Sequence, residues 1–262
     1  MTDRKEERQE PSPPIPIVPV PADVPPCGFD TQKYKGVSPT VYSYYSVNEI
    51  TQPQLAGYVT RRDGVNPTTG KQEKRILPWS FCAFSDGARQ WHTKGIPEPR
   101  PLYRLPELLN NPEAPLLVCE GEKTAEAAQH LFPDTVCITS MGGANAAHKT
   151  DWSPVKNRCV IISSDCDEAG KRYADTVYDL CLQQGSKEIL SLATDQLAHV
   201  SFSESGDIIL QETKETPPGY DLADALEDGW TASRLTTCFG EHLESLMAPY
   251  LKSPQKKNAL RN

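Results

Sequence analysis

Two short stretches of the chain set carboxylates directly against apolar runs. The first is Leu116-Leu117-Val118-Cys119-Glu120-Gly121-Glu122-Lys123. The second is Cys159-Val160-Ile161-Ile162-Ser163-Ser164-Asp165-Cys166-Asp167-Glu168-Ala169-Gly170. An apolar run that stops abruptly in acids predicts a buried strand with carboxylates at its C-terminal edge, where open parallel sheets bind ligands. Gathered carboxylates repel one another unless a cation neutralises them, so the pattern predicts a Mg²⁺ (or Mn²⁺) site. Gly121 lets the backbone turn sharply and lets a phosphate or metal come close. Asp165 and Asp167 are two residues apart and point to one side if the backbone is extended. Simpler roles stay open for several of these groups. Asp167 can cap a helix that starts at Glu168, Glu122 can complement a helix dipole, and Lys123 can meet a phosphate or only solvent.

The flanking pattern must hold these acids in place. Strands are predicted at 116–119, 135–139, 158–163 and 188–192, with helices at 123–132, near 144–149 and at 168–184. The last of these helices carries apolar residues at 169, 173, 177, 180 and 181, close to a 3.6-residue period. Strand and helix in alternation predict a mostly parallel sheet flanked by helices, an α/β fold. Beyond it come a possible edge strand at Asp207–Leu210, a loop through Pro217-Pro218-Gly219, and helices near 221–228 and 231–249. Ahead of it lies a small β-rich module. Val41–Val47, Gly57–Arg62 and Arg75–Trp79 are rich in β-branched and aromatic residues, and a turn-rich segment from Asp63 to Gly70 predicts a long hairpin. Residues 1–26 are charged and then proline-rich, which predicts a disordered, extended tail. The domains expected are therefore a tail at 1–26, a basic β-rich module at 27–110, an α/β domain with C-terminal helices at 111–250 and a flexible tail at 251–262.

Composition narrows the function. The net charge of −8 argues against a protein that coats nucleic acid over its whole surface. Yet residues 57–104 hold nine Lys or Arg against four acids, so a basic module sits beside an acidic one. Arg61, Arg62, Lys74 and Arg75 are the candidates there for holding phosphates. Trp91, with His92, Lys94 and Arg100, is the candidate for stacking on bases and gripping the backbone. Trp79 reads better as core. The eight cysteines show no CxxC spacing, which excludes a zinc ribbon, and three of them fall inside apolar runs as small buried hydrophobes. No apolar stretch approaches the roughly 20 residues that span a bilayer, and the charged start lacks a signal-peptide core. A cytoplasmic protein without membrane contact is expected.

The order strand–Glu–Gly–helix, then strand–Asp–x–Asp–x–x–Gly–helix some 45 residues later, resembles the Toprim domain of primases, topoisomerases and certain nucleases. The resemblance covers roughly residues 114–195. Val118–Ala125 and Ser140-Met141-Gly142-Gly143-Ala144 look most like the Toprim of phage and plasmid primases. It extends to Gly219–Leu226 with Gly229-Trp230, so Asp221 joins the candidate metal set, although it too can serve as a helix cap. Upstream, Pro97–Tyr103 resembles the segment that precedes Toprim in the same group.

The resemblance implies a Toprim-like sheet and a definite chemistry. Glu120 would be general acid or base, and Asp165 and Asp167 would hold one or two Mg²⁺. Lys123, Lys171 and Arg172 would contact phosphates. The implied reaction is nucleotidyl transfer from nucleoside triphosphates to make short RNA primers on single-stranded DNA. A metal-dependent nuclease and a non-catalytic nucleic-acid-binding protein are the alternatives. The chain departs from replicative primases in lacking the zinc ribbon and a P-loop, so a separately encoded helicase is an expected partner. A topoisomerase is disfavoured, because strand passage needs a nucleophilic tyrosine domain.

Overall fold

Which residues lie at a sheet edge decides much of this fold. The structure is a computed structural model and describes residues 12–29, 38–47, 52–65, 70–205, 207–211, 215–239 and 246–251. The chain divides into two units, Met1–Pro97 and Glu98–Asn262.

In the first unit, β1 (Ile15–Pro16), β2 (Thr40–Val47), β3 (Pro53–Val65), β4 (Gln72–Ala83) and β5 (Arg89–His92) form one antiparallel sheet. The order is β1-β4-β3-β2, with β5 also on β4. The expected long hairpin is β3–β4, whose pairing runs from Tyr58 opposite Trp79 to Val65 opposite Gln72. Its turn, residues 66–69, lies outside the described residues. Tyr42, Tyr44, Val59 and Phe81 are buried beneath it.

The proline-rich segment does not behave as the expected tail. Residues 12–29 are laid along the sheet, with Ile15 and Pro16 paired to Ala83 and Cys82. The Ile17 N–H donates to Phe81 O at 2.7 Å and the Val20 N–H to Leu55 O at 2.7 Å. Proline cannot donate to a ladder, but an edge strand needs donors on one side only. Isoleucine and valine between the prolines supply them. Residues 1–11 of the expected tail lie outside the described residues.

The second unit starts earlier than the sequence suggests. Leu102 and Leu108 are part of its core, and the Tyr103 N–H donates to Thr139 O at 2.9 Å. Residues 98–110 therefore belong here, including α1 (Leu105–Asn110), a helix the sequence pattern does not announce. Next come β6 (Leu116–Val118), α2 (Glu122–Leu131), β7 (Val136–Ile138), β8 (Cys159–Ile162), α3 (Glu168–Gln184) and β9 (Glu188–Leu192). β10 (Val200–Phe202) and β11 (Ile208–Leu210) pair as a separate hairpin, so the expected edge strand is not part of the main sheet. α4 (Leu222–Glu227), α5 (Ala232–Phe239) and β12 (Met247–Pro249) end the described chain.

The main sheet has the order β12-β9-β8-β6-β7. β9, β8, β6 and β7 are parallel, and β12 runs antiparallel on the outside of β9. The expectation of a helix through 231–249 thus fails at its end. Met247-Ala248-Pro249 takes an edge position, where proline's missing N–H costs no ladder bond. Residues 240–245 and 252–262 lie outside the described residues. β6 and β7 are buried at every position, as strands covered on both faces must be. From the middle of the sheet, β6–α2–β7 steps one way and β8–α3–β9 steps the other. Right-handed crossovers in opposite directions place α2 and α3 on opposite faces. On the α3 side, Tyr173 and Val177 pack with Val118, Val160, Ile162 and Trp152.

Candidate active site

The two acidic clusters fall at the ends of β6 and β8, which are neighbours in the sheet. Leu116, Leu117 and Val118 stand opposite Val160, Ile161 and Ile162. The ladder continues one step further, since the Ser163 N–H donates to Val118 O at 2.9 Å. Glu120 and Asp165 therefore leave adjacent strands about 4.8 Å apart, at nearly the same level. β6 and β8 are also where the chain reverses its direction across the sheet. In open α/β sheets such a switch point is the usual place for a ligand.

The loop after β8 is tightly held. The Asp167 N–H donates to Asp165 O at 2.8 Å, and Asp167 caps α3 by accepting from the Gly170 N–H at 2.7 Å. The loop folds back so closely that a Cβ on Gly170 would lie 2.1 Å from Asp165 O. That contact explains the glycine of the Asp–x–Asp–x–x–Gly pattern. On its other side the loop pairs with the segment before α4. The Cys166 N–H donates to Tyr220 O at 3.0 Å, and the Gly219 N–H to Cys166 O at 3.2 Å.

Asp221 has the cap role. Its Oδ1 accepts from the N–H groups of Ala223 and Asp224, and its Oδ2 from the Thr124 hydroxyl at 2.8 Å. The Asp224 carboxylate reciprocates on the Asp221 N–H, completing a capping box. Both oxygens of Asp221 thus accept from donors of this chain, the cap role its position allowed.

Charge gathers around Cys166. Burial, followed by the carboxylates of Asp195, Asp165, Asp221 and Asp167, pushes its thiol up to about 11. Burial also pushes Cys137 up to about 11. The unfolded chain gives up these protons near the ordinary thiol value of 9.0, before the folded chain does. The folded state then holds more protons than the unfolded one, so stability falls as pH rises from about 9 to 11. Urea melts across this range should show that loss, and Cys137→Ser with Cys166→Ser should reduce it without abolishing it, because burial also raises Cys27, Cys119 and Cys181. A midpoint unchanged between pH 8 and 11 would contradict the assignment.

Two carboxylate oxygens of these clusters are shut off from solvent. Glu120 Oε2 and Asp165 Oδ1 are enclosed by protein. Enclosing carboxylate oxygens costs free energy unless positive charge meets them. Among the described residues, no group of three or more His, Cys, Asp or Glu side chains is placed to hold a metal ion by itself. Mg²⁺ commonly keeps several waters and uses one or two carboxylates with substrate phosphates.

No protein-family model matches this chain, and no curated protein matches it. The reading of the site therefore stands on its residues.

The other expected site residues are scattered. Lys123 pairs with Glu227 at 2.7 Å, and Lys171 with Glu168 at 2.9 Å, both at the surface. Arg172 is exposed on the first turns of α3. In the first unit, the β3–β4 pairing sets Arg62 opposite Arg75 and Asp63 opposite Lys74. Alternation then puts Arg61 and Lys74 on one face of the hairpin and Arg62 and Arg75 on the other. Arg62 is buried and Arg61 is paired with Asp63 at 2.8 Å, so these four do not form a single basic patch. Trp91 is turned to the proline-rich segment. Its indole N–H donates to Pro25 O at 2.8 Å, and its ring packs on Tyr58 and Phe81. The Lys94 ammonium donates to Pro14 O. Arg100 lies in the second unit, bridged to Thr150.

Two supporting residues escaped the sequence reading. Fully buried Tyr173 donates its hydroxyl to Cys119 O at 2.9 Å and lies 3.3 Å from Ser140 Oγ, tying α3 to the residue just before Glu120. Thr124 ties α2 to Asp221. Tyr173 sits on the apolar stripe of α3, where a tyrosine reads as core, and nothing in the spacing marks its hydroxyl.

Proposed function

We propose that the chain is a Toprim-type, divalent-metal-dependent phosphoryl-transfer enzyme of the primase kind, joining nucleotides into short RNA primers on single-stranded DNA. One observation carries this reading. Glu120 and the Asp165–Asp167 pair follow the C-terminal ends of adjacent parallel strands, at the point where the sheet order reverses.

The residues divide the work by position. Glu120 is placed to take a proton from an attacking hydroxyl or return one to a leaving group. Asp165 and Asp167 would hold Mg²⁺ or Mn²⁺, which would offset the negative charge of the phosphoryl group in flight. Gly170 and the Asp167 cap fix the loop that carries both acids. Tyr173 fixes the strand end that carries Glu120. A nucleoside triphosphate, single-stranded DNA and a separately encoded helicase are the partners this reading assigns.

The test is an incubation of the full chain with Mn²⁺ or Mg²⁺, single-stranded DNA and labelled nucleotides. Oligonucleotide products that fall by roughly 100-fold or more in Glu120→Gln support the proposal. Shortened template would instead identify a nuclease built on the same carboxylates. Neither product, with DNA still bound, would leave a binding protein and overturn the catalytic reading.

A further inference from the structure

β7 borders β6 on the side away from β8, and the loop that follows it carries no acid. It reads Ser140-Met141-Gly142-Gly143, and both glycines have left-handed backbone, with φ of 94° and 63°. Against this turn lies a cation. Arg100 Nη1 is 3.6 Å from the position a Cβ on Gly142 would take. The backbone of Arg100 is held on both sides, its N–H donating to Lys149 O and its carbonyl accepting from the Asp151 N–H, each at 2.8 Å. Lys149, whose carbonyl holds the Arg100 N–H, pairs its ammonium with Glu98 at 3.1 Å.

The C-terminal edge of the sheet is therefore polarised. Carboxylates follow the ends of β6 and β8, and the Arg100 guanidinium lies against the glycine turn that follows β7. A phosphate group is the ligand that needs both halves. A planar guanidinium grips its oxygens in bidentate fashion, glycine backbone allows close approach, and a cation held by the neighbouring acids would offset the remaining charge.

We infer that Arg100 and the Gly142–Gly143 turn form a phosphate-binding subsite beside Glu120. This rests on the phosphoryl-transfer reading for its purpose but not for its test. The subsite receives either the polyphosphate of a nucleotide or a phosphodiester of the nucleic acid. Arg100 is a binding residue there, and the proton-transfer role stays with Glu120.

The experiment is calorimetric titration of the full chain with tripolyphosphate, and separately with a short single-stranded oligonucleotide lacking terminal phosphate. Each is run on the parent chain, Arg100→Gln and Arg100→Lys. Arg100→Gln should lose tenfold or more in affinity for at least one probe, and Arg100→Lys should recover part of it. The probe that loses affinity identifies the source of the phosphate. Equal binding by Arg100→Gln and the parent to both probes overturns the subsite, as does failure of the parent to bind either. If Arg100→Gln loses binding while the parent makes no product from nucleotides and DNA, the subsite stands and the catalytic reading falls.

Discussion

Asp165→Asn should lower product formation by roughly 100-fold or more while leaving the unfolding midpoint level or higher. Asparagine keeps the size of the side chain and removes only the charge. In the proposed site that charge attracts the cation, so Mn²⁺ affinity should fall together with activity. The stability side follows from enclosure. Asp165 Oδ1 is shut off from solvent, and a neutral amide there costs less to desolvate than a carboxylate. Two measurements decide the matter, Mn²⁺ affinity by electron paramagnetic resonance and the thermal midpoint without metal. Activity within threefold of the parent would remove Asp165 from the chemistry. A midpoint lowered by several degrees would make it a structural group.

Gly170→Ala should be the most damaging single methyl in the second unit. The added carbon would meet the Asp165 carbonyl oxygen at 2.1 Å and the Asp165 backbone N and C at 2.9 Å. These are backbone atoms, so no rotamer change relieves the clash. The loop must lift off α3. Overpacking of this kind costs about 1–3 kcal/mol. The larger effect is on geometry, since the displaced residue is itself a proposed metal ligand. Activity should drop with the change in Asp165 position even in protein that remains folded by circular dichroism. A Gly170→Ala chain with unaltered activity and midpoint would show that the loop has slack.

Much of the site was legible because its strands are short and buried on both faces. Leu116–Val118 and Cys159–Ile162 read as unbroken apolar runs, and acids at their ends stand out. Helix caps were legible too, since Asp167 and Asp221 sit where helical periodicity begins. The first unit was harder, for reasons of alternation and edges. Arg61, Arg62, Lys74 and Arg75 look like one cluster along the chain, but in a hairpin successive side chains face opposite ways. Ile15–Pro16 and Met247–Pro249 were missed because proline suppresses a strand reading everywhere except at an edge. Edge position is a property of the whole sheet, not of the local sequence.

The pairing of Cys166 with Gly219 and Tyr220 bears on when the site becomes competent. Both acid-bearing strands are made before residue 170 leaves the ribosome, but the segment that closes over the second acid loop comes about 50 residues later. A nascent chain that has reached 210 possesses every carboxylate of the proposed metal set and lacks the backbone that clasps them. Competence should therefore arrive late in synthesis, after the four parallel strands have been made, and chains that terminate in that interval should be inert.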